Sequence, residues 1–169
     1  MVEEFEKMDA FLSKANLMMK RILHAITMQD ISSIEHFLKD DVYENLQKEM
    51  EKDSLLNRHV IYDEVNVKSA IQRTFEDSDS IYIEVLFSIR ALKYYVSNDS
   101  NEKNGNFSSR TEFVKKVLFT RLKNAKSQVA PRCFGCGSTI DYYQNGVCSN
   151  CGRVYDFELF DYVIQEMDW

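Results

Sequence analysis

Two CxxC pairs, Cys133/Cys136 and Cys148/Cys151, contain every cysteine of the 169-residue sequence, and each pair is followed by a glycine, Gly137 or Gly152. Thiolates at this spacing suit a tetrahedral zinc ion, because a two-residue gap lets both sulfurs of one tight turn reach a single metal. A glycine directly after the second cysteine permits the positive φ such a turn uses, which leaves backbone N–H groups free to point at sulfur. Between the pairs, Asn145-Gly146 follows a short β-prone run and reads as a hairpin turn. The expectation is a zinc ribbon over residues 131–156, holding one ion through Cys133, Cys136, Cys148 and Cys151. Two disulfides are the competing chemistry. They suit a secreted chain, whereas Met1-Val-Glu-Glu-Phe-Glu-Lys7 lacks the basic start and apolar core of a signal peptide. Reduced thiols and a cytoplasmic location are expected.

Four thiolates fill the tetrahedron and leave no corner for water or substrate, so this zinc is expected to be structural rather than catalytic. The three histidines, His24, His36 and His59, lie far from the cysteines in sequence. Acid–base chemistry would need a carboxylate, imidazole or phenol tuned by burial. His59, Tyr62, Asp63 and Glu84 are the candidates, and they form no recognisable catalytic constellation. A net charge of −6 disfavours generic binding to nucleic acid or anionic membranes. The basic stretch Arg110, Lys115, Lys116, Arg121, Lys123, Lys126 and Arg132 runs the other way, but strand alternation would divide it between two faces.

The elements that must position these residues follow from periodicity. Phe5, Met8, Leu12, Ala15, Met19, Ile22 and Ile26 recur at steps of three and four, predicting a long helix with one apolar face. Met8, Met18 and Met19 read as part of that core stripe rather than as an adaptable partner surface. Asp30 is placed to cap a short helix through Ile31, Ile34 and Phe37, and Asp40 or Asp41 a third through Val42, Leu46 and Met50. Val65 to Phe75 and Ile81 to Ala91 alternate as two strands around the polar turn 76–80. Ser97 to Ser109, rich in Asn, Ser and Gly, reads as a mobile loop. Strand character returns from Phe113 to Lys123, where Lys115-Lys116 breaks the alternation and suggests a bulge. Residues 157–167 alternate weakly as a last strand.

With 44% hydrophobic residues, five glycines and one proline, the chain is expected to be one ordinary domain plus a small metal module. Residues 1–130 form helices and a sheet, 131–156 the ribbon, and 157–169 a strand returning to the sheet. This is an α+β class, in which N-terminal helices pack on a curved antiparallel sheet and the ribbon is inserted before the last strand. No apolar run approaches the roughly 18 residues of a spanning helix.

This order of elements resembles the nuclear transport factor two-like superfamily, in which a curved sheet forms a cone over the first helix. More narrowly it is similar to bacterial relatives of the C-terminal domain of the mitochondrial inner-membrane translocase subunit of forty-four kilodaltons. The resemblance is carried by Arg132-Cys-Phe-Gly-Cys-Gly137, Gly146-Val-Cys-Ser-Asn-Cys-Gly152 and Phe157-Glu-Leu-Phe-Asp-Tyr-Val163. It implies a non-enzymatic docking module and leaves peripheral membrane association open. The expected function is therefore a binding or scaffolding protein that docks a protein, a peptide or an apolar ligand. Val85, Phe87, Ile89, Val117 and Phe119 are candidates for lining a cavity, or for core against the N-terminal helix. The alternatives are an isomerase or dehydratase using the cone cavity, and a nucleic-acid-binding zinc-ribbon protein.

Overall fold

The computed structural model describes residues 2–123, 136–139, 147–153 and 162–169. Its order is helix α1 (Val2–Thr27), a 3-10 helix (Ile31–Phe37), helix α2 (Asp40–Leu55), then strands β1 (Arg58–Glu76), β2 (Ser80–Ser97), β3 (Lys103–Leu122) and β4 (Val163–Met167). The four strands form one antiparallel sheet in the order β1-β2-β3-β4, so the fold is α+β.

Helix α1 buries Ala15, Met19, Ile22, Leu23 and Ile26 against the sheet, as its periodicity requires. The expected stripe is shorter than its sequence suggests. Phe5 and Met8 are 64% and 40% exposed, and packing against the core begins only at Phe11 and Leu12. The helix ends in a Schellman arrangement: the Asp30 N–H donates to the Ala25 carbonyl, the Gln29 N–H donates to the Ile26 carbonyl, and Gln29 takes φ +57°. Thr27 ties this end to the sheet, its Oγ1 donating to the Leu23 carbonyl and accepting the Tyr62 N–H at 3.0 Å.

The expected caps need correction. Asp30 precedes the 3-10 helix without a capping bond to a backbone N–H; its carboxylate accepts the Ser32 hydroxyl instead. Lys39, not an aspartate, stands at the cap position of α2, while Asp40 and Asp41 occupy its first turn, where their charge complements the helix dipole.

Three corrections concern the strands. β1 begins at Arg58 rather than near Val65, because a bulge breaks its alternation. From Asp63 to Asn66 β1 advances three residues while β2 advances two, from Leu92 to Arg90, and Glu64 takes φ +50°. That extra residue turns both Tyr62 and Val67 inward although their parity differs. The expected loop over Ser97–Ser109 is also mostly strand. A turn at residues 98–102 is followed by pairing of Lys103 to Asn106 with Val96 to Lys93. The bulge expected at Lys115-Lys116 lies elsewhere, because those residues pair regularly with Phe87 and Leu86. The irregularity falls where β2 advances from Ala91 to Lys93 while β3 passes from Thr111 to Asn106. Each such insertion bends the strands, which gives the sheet its curvature.

The core lies between the helices and the inner sheet face. Val85, Phe87, Ile89, Val117 and Phe119 are each 0% exposed, so these five residues are core. β4 closes the edge beyond β3. Its Ile164 carbonyl accepts the Lys39 N–H at 3.0 Å, beside a parallel bridge between Leu38 and Ile164. Among the described residues no helix is long and apolar enough to cross a membrane.

Candidate metal centre and cavity

Two features of the molecule carry chemistry. The first is the cysteine cluster that follows β3 in sequence. The ligand atoms of Cys136, Cys148 and Cys151 lie within 4.8 Å of one another. Cys136 Sγ and Cys148 Sγ are 3.5 Å apart, far beyond the roughly 2.05 Å of a disulfide, and none of the three cysteines is disulfide-bonded. Thiolates around a tetrahedral zinc with bonds of about 2.3 Å stand about 3.8 Å apart, so the separation fits a shared metal. Cys133 and the Asn145-Gly146 turn fall outside the described residues.

Local backbone geometry aims the sulfurs inward. Gly137 and Gly152 take φ +74° and +76°, the left-handed conformation expected of a residue closing each CxxC turn. The Gly152 N–H donates to the Cys148 carbonyl, and the Cys148 N–H donates to the Arg153 carbonyl, each at 2.8 Å. Ser138 Oγ sits 3.0 Å from Cys136 Sγ and 3.2 Å from Cys148 Sγ. Hydrogen bonds from the Ser138 hydroxyl, then from the Ser138 backbone and the Asn150 side chain, hold the Cys136 thiol down to about 5. The Cys148 pKa is also lowered, first by Ser138 and then by the backbone of Cys151 and Asn150. Thiolate is the form a metal binds, so the donor set and its surroundings suit one.

The second feature is a half-open cavity of about 430 Å³ on the inner sheet face, adjoining the core where Lys115 pairs with Phe87. Ile26 from α1 and Met50 from α2 form one wall, with Glu49 and Asp53 at the α2 side. Across from them stand Tyr62 of β1, Lys93 and Tyr95 of β2, Phe113 and Lys115 of β3, and Trp169 after β4. Helix length explains why this space stays open. Only the stretch from Phe11 to Ile26 packs on the core, roughly 24 Å of helix, whereas an 18-residue strand runs roughly 60 Å, so α1 does not cover the whole sheet.

Tyr62, Phe113 and Trp169 cluster, with ring centroids 5.9 Å apart for Tyr62–Phe113 and 6.3 Å for Tyr62–Trp169. Lys115 Nζ lies 4.5 Å above the Trp169 ring and donates to the Asp168 carbonyl at 3.1 Å. Lys93 Nζ lies 5.7 Å from the Tyr62 centroid and 5.8 Å from that of Phe113. Burial first, then the Lys93 ammonium, lower the Lys115 pKa, against the opposing pull of Asp168 and Glu49.

Of the four sequence candidates for acid–base work, only Tyr62 lines the cavity. Its pKa is raised, chiefly by burial and then by Tyr95 and Asp53, so the phenol stays protonated. His59 Nδ1 contacts Asn98 Oδ1 at 2.7 Å, and Asp63 accepts the Glu64 N–H. Glu84 pairs with Arg73 at 3.2 Å, on the sheet face opposite Val85. The structure therefore does not bring these four together. The basic stretch is dispersed likewise. Arg110 pairs with Glu64, Lys123 with Glu76, Arg121 lies over Tyr162, and Lys115 enters the cavity. Lys126 and Arg132 lie outside the described residues.

Sequence reasoning missed Lys93, Phe113, Lys115 and Trp169. A signal existed: Lys115 stands between Phe113 and Val117 on the inward parity of β3, and Lys93 follows Ala91 on that of β2. A lysine in an apolar alternation marks either a break in the strand or a place where the core gives way to solvent. Comparison of the chain with protein-family models, with curated proteins and with solved structures found no match.

Proposed function

We propose that this chain is a non-enzymatic binding or scaffolding protein, built as a cone-like domain with an inserted zinc ribbon. One structural zinc ion is held by Cys133, Cys136, Cys148 and Cys151, with Cys133 completing the set begun by the three gathered thiols. The observation that carries this reading is the separation of the two features: among the described residues, none of Cys136, Cys148 and Cys151 lines the cavity. A metal so placed shapes its own segment and does not act on a molecule held by the sheet. Of the two phenols that line the cavity, Tyr62 and Tyr95, burial locks the first in its protonated form, and the histidine and carboxylate candidates His59, Asp63 and Glu84 stand outside it, which favours holding over chemistry. The element order supports kinship with the translocase-like relatives and a cytoplasmic docking role, with a protein, peptide or apolar ligand as the occupant.

The test is native mass spectrometry of the protein purified gently from its own host, alongside a Cys148→Ser variant. One zinc per wild-type chain is expected. The variant should lose the metal while its far-UV circular dichroism and the melting of helices and sheet stay unchanged. A metal-free wild type, or a variant keeping stoichiometric zinc, would overturn the assignment.

A further inference from the structure

The cavity has more specific chemistry than a general docking surface. Two ammonium groups, Lys93 and Lys115, stand on the same wall, and among the described residues neither has a carboxylate within ion-pair distance. The acids at the mouth are engaged elsewhere: Lys52 pairs with Glu49, and Arg58 pairs with Asp53 at 3.0 Å while lying 3.9 Å from the Tyr95 ring centroid. Asp168 meets Lys115 through its backbone carbonyl. Counting side chains alone, the surroundings hold four cations, Lys52, Arg58, Lys93 and Lys115, and three acids, Glu49, Asp53 and Asp168. The two cations without a carboxylate both face the space.

Burial of the Lys115 ammonium, and after it the like charge of Lys93, disfavour its charged form, so the wall holds two cations that repel each other. An anion between them would relieve that repulsion and gain charge-assisted hydrogen bonds. The rest of the wall suits an apolar, planar body, since Tyr62, Phe113 and Trp169 present ring surface beside the ammonium groups. Such aromatic clusters also accept organic cations. Here the ring faces already carry Lys93 and Lys115, so a cationic guest would meet repulsion.

We infer that the cavity is a binding site for a small organic acid, with its carboxylate between Lys93 and Lys115 and its aromatic body against Tyr62, Phe113 and Trp169. Its volume of about 430 Å³ falls within the range of small-molecule sites. This inference rests on the reading of the domain as a binding protein and names the class of occupant.

Isothermal titration calorimetry on the full chain with three probes tests it: 2-naphthoate, the neutral 2-naphthamide and the cation benzyltrimethylammonium. The carboxylate should bind at least about tenfold more tightly than the amide, the span of one charge-assisted hydrogen bond. Lys93→Met should lower naphthoate affinity about tenfold and amide affinity by clearly less, narrowing the preference for the acid. Lys115→Met serves as the second variant should the first fail to fold, with circular dichroism as the check. The indole N–H resonance of Trp169, the sequence's single tryptophan, should shift with naphthoate and locate it. Equal affinity for acid and amide, a preference for the cation, folded variants that bind naphthoate undiminished, or no binding at millimolar probe would each overturn the inference. The two readings fail separately. Native mass spectrometry judges the wider binding role by what the protein retains, whichever probe the cavity refuses.

Discussion

The inner face of the sheet is two surfaces that share the same strands. Along β3, Phe119 and Val117 are sealed in the core, and the next inward positions, Lys115 and Phe113, line open space. Along β2, Val85, Phe87 and Ile89 give way to Lys93 and Tyr95. At one end the helices cover the sheet and the inward side chains are apolar except Ser69, which stands opposite Phe87 with its hydroxyl buried. At the other the cover runs short, and the sequence places amphipathic side chains whose stems pack while their heads stay hydrated. The boundary lies within about two residues on each strand, because alternate side chains on a strand are only about 7 Å apart. Packed core and open cavity wall are thus neighbouring stretches of the same strands.

Substitutions can break that contrast. Phe119→Ala should have the largest effect, lowering stability by about 3–5 kcal/mol in urea denaturation, because a fully buried ring leaves a cavity that tight packing cannot refill. A loss below about 1 kcal/mol would mean that the core end is as adaptable as the open end.

Lys115→Met should move stability far less and upward, by under about 1 kcal/mol, since it removes a desolvated charge near a like charge while the ammonium keeps part of its hydration. The sign of its pH dependence follows from the lowered pKa. The folded state disfavours the charged form, so wild-type stability rises with pH between the lowered folded value and the ordinary 10.5, and the gap to the variant narrows there. Denaturation curves at neutral and alkaline pH measure it. A large destabilisation would make Lys115 a structural strut.

Asp77→Ala, at the remote β1–β2 turn, should show the smallest change. The Asp77 carboxylate accepts the N–H groups of Asp79 and Ser80 and the Tyr82 hydroxyl, and these bonds, the backbone ones first, lower its pKa. Its contribution is full above the ordinary 3.8 and disappears as pH falls through the lower folded value. Melting curves of variant and wild type should therefore differ slightly at neutral pH and converge in strong acid.

How much of this was legible depended on whether local pattern and tertiary pairing agreed. Helix α1, the first hairpin and the α+β class announce themselves because period 3.6 and period 2 run unbroken through Ala15 to Ile26 and through Ile81 to Ala91. The start of β1 was hidden by the extra residue at Glu64, which reverses the parity that a reader counts. The start of β3 was hidden by composition. Asn104, Gly105 and Asn106 look like loop, yet β2 holds them in register, and Gly105, at φ +117°, lies so close to Tyr94 that a Cβ would stand 3.2 Å from its Cα. The cysteine motif was plain in sequence because CxxC spacing is itself the geometry of a metal knuckle. The cavity was not, because its residues come from both helices, three strands and the segment after β4, and only the fold assembles them.

The position of β4 bears on what a metal can do for the rest of the chain. β3 ends at Leu122 and β4 begins at Val163, so a connection of 40 residues in sequence, 123–162, must bring its two ends together in the sheet. Joining 136 to 151 through a metal would shorten that connection to about 25 residues and lower its closure entropy by about 0.4 kcal/mol, because closure grows only with the logarithm of length. The strand's own contacts outweigh this, since Val163, Ile164 and Met167 are buried and Ile164 bonds to Lys39. Chain topology thus uncouples the two: a metal gained or lost at the cysteine cluster would leave the strand beyond it in its place in the sheet.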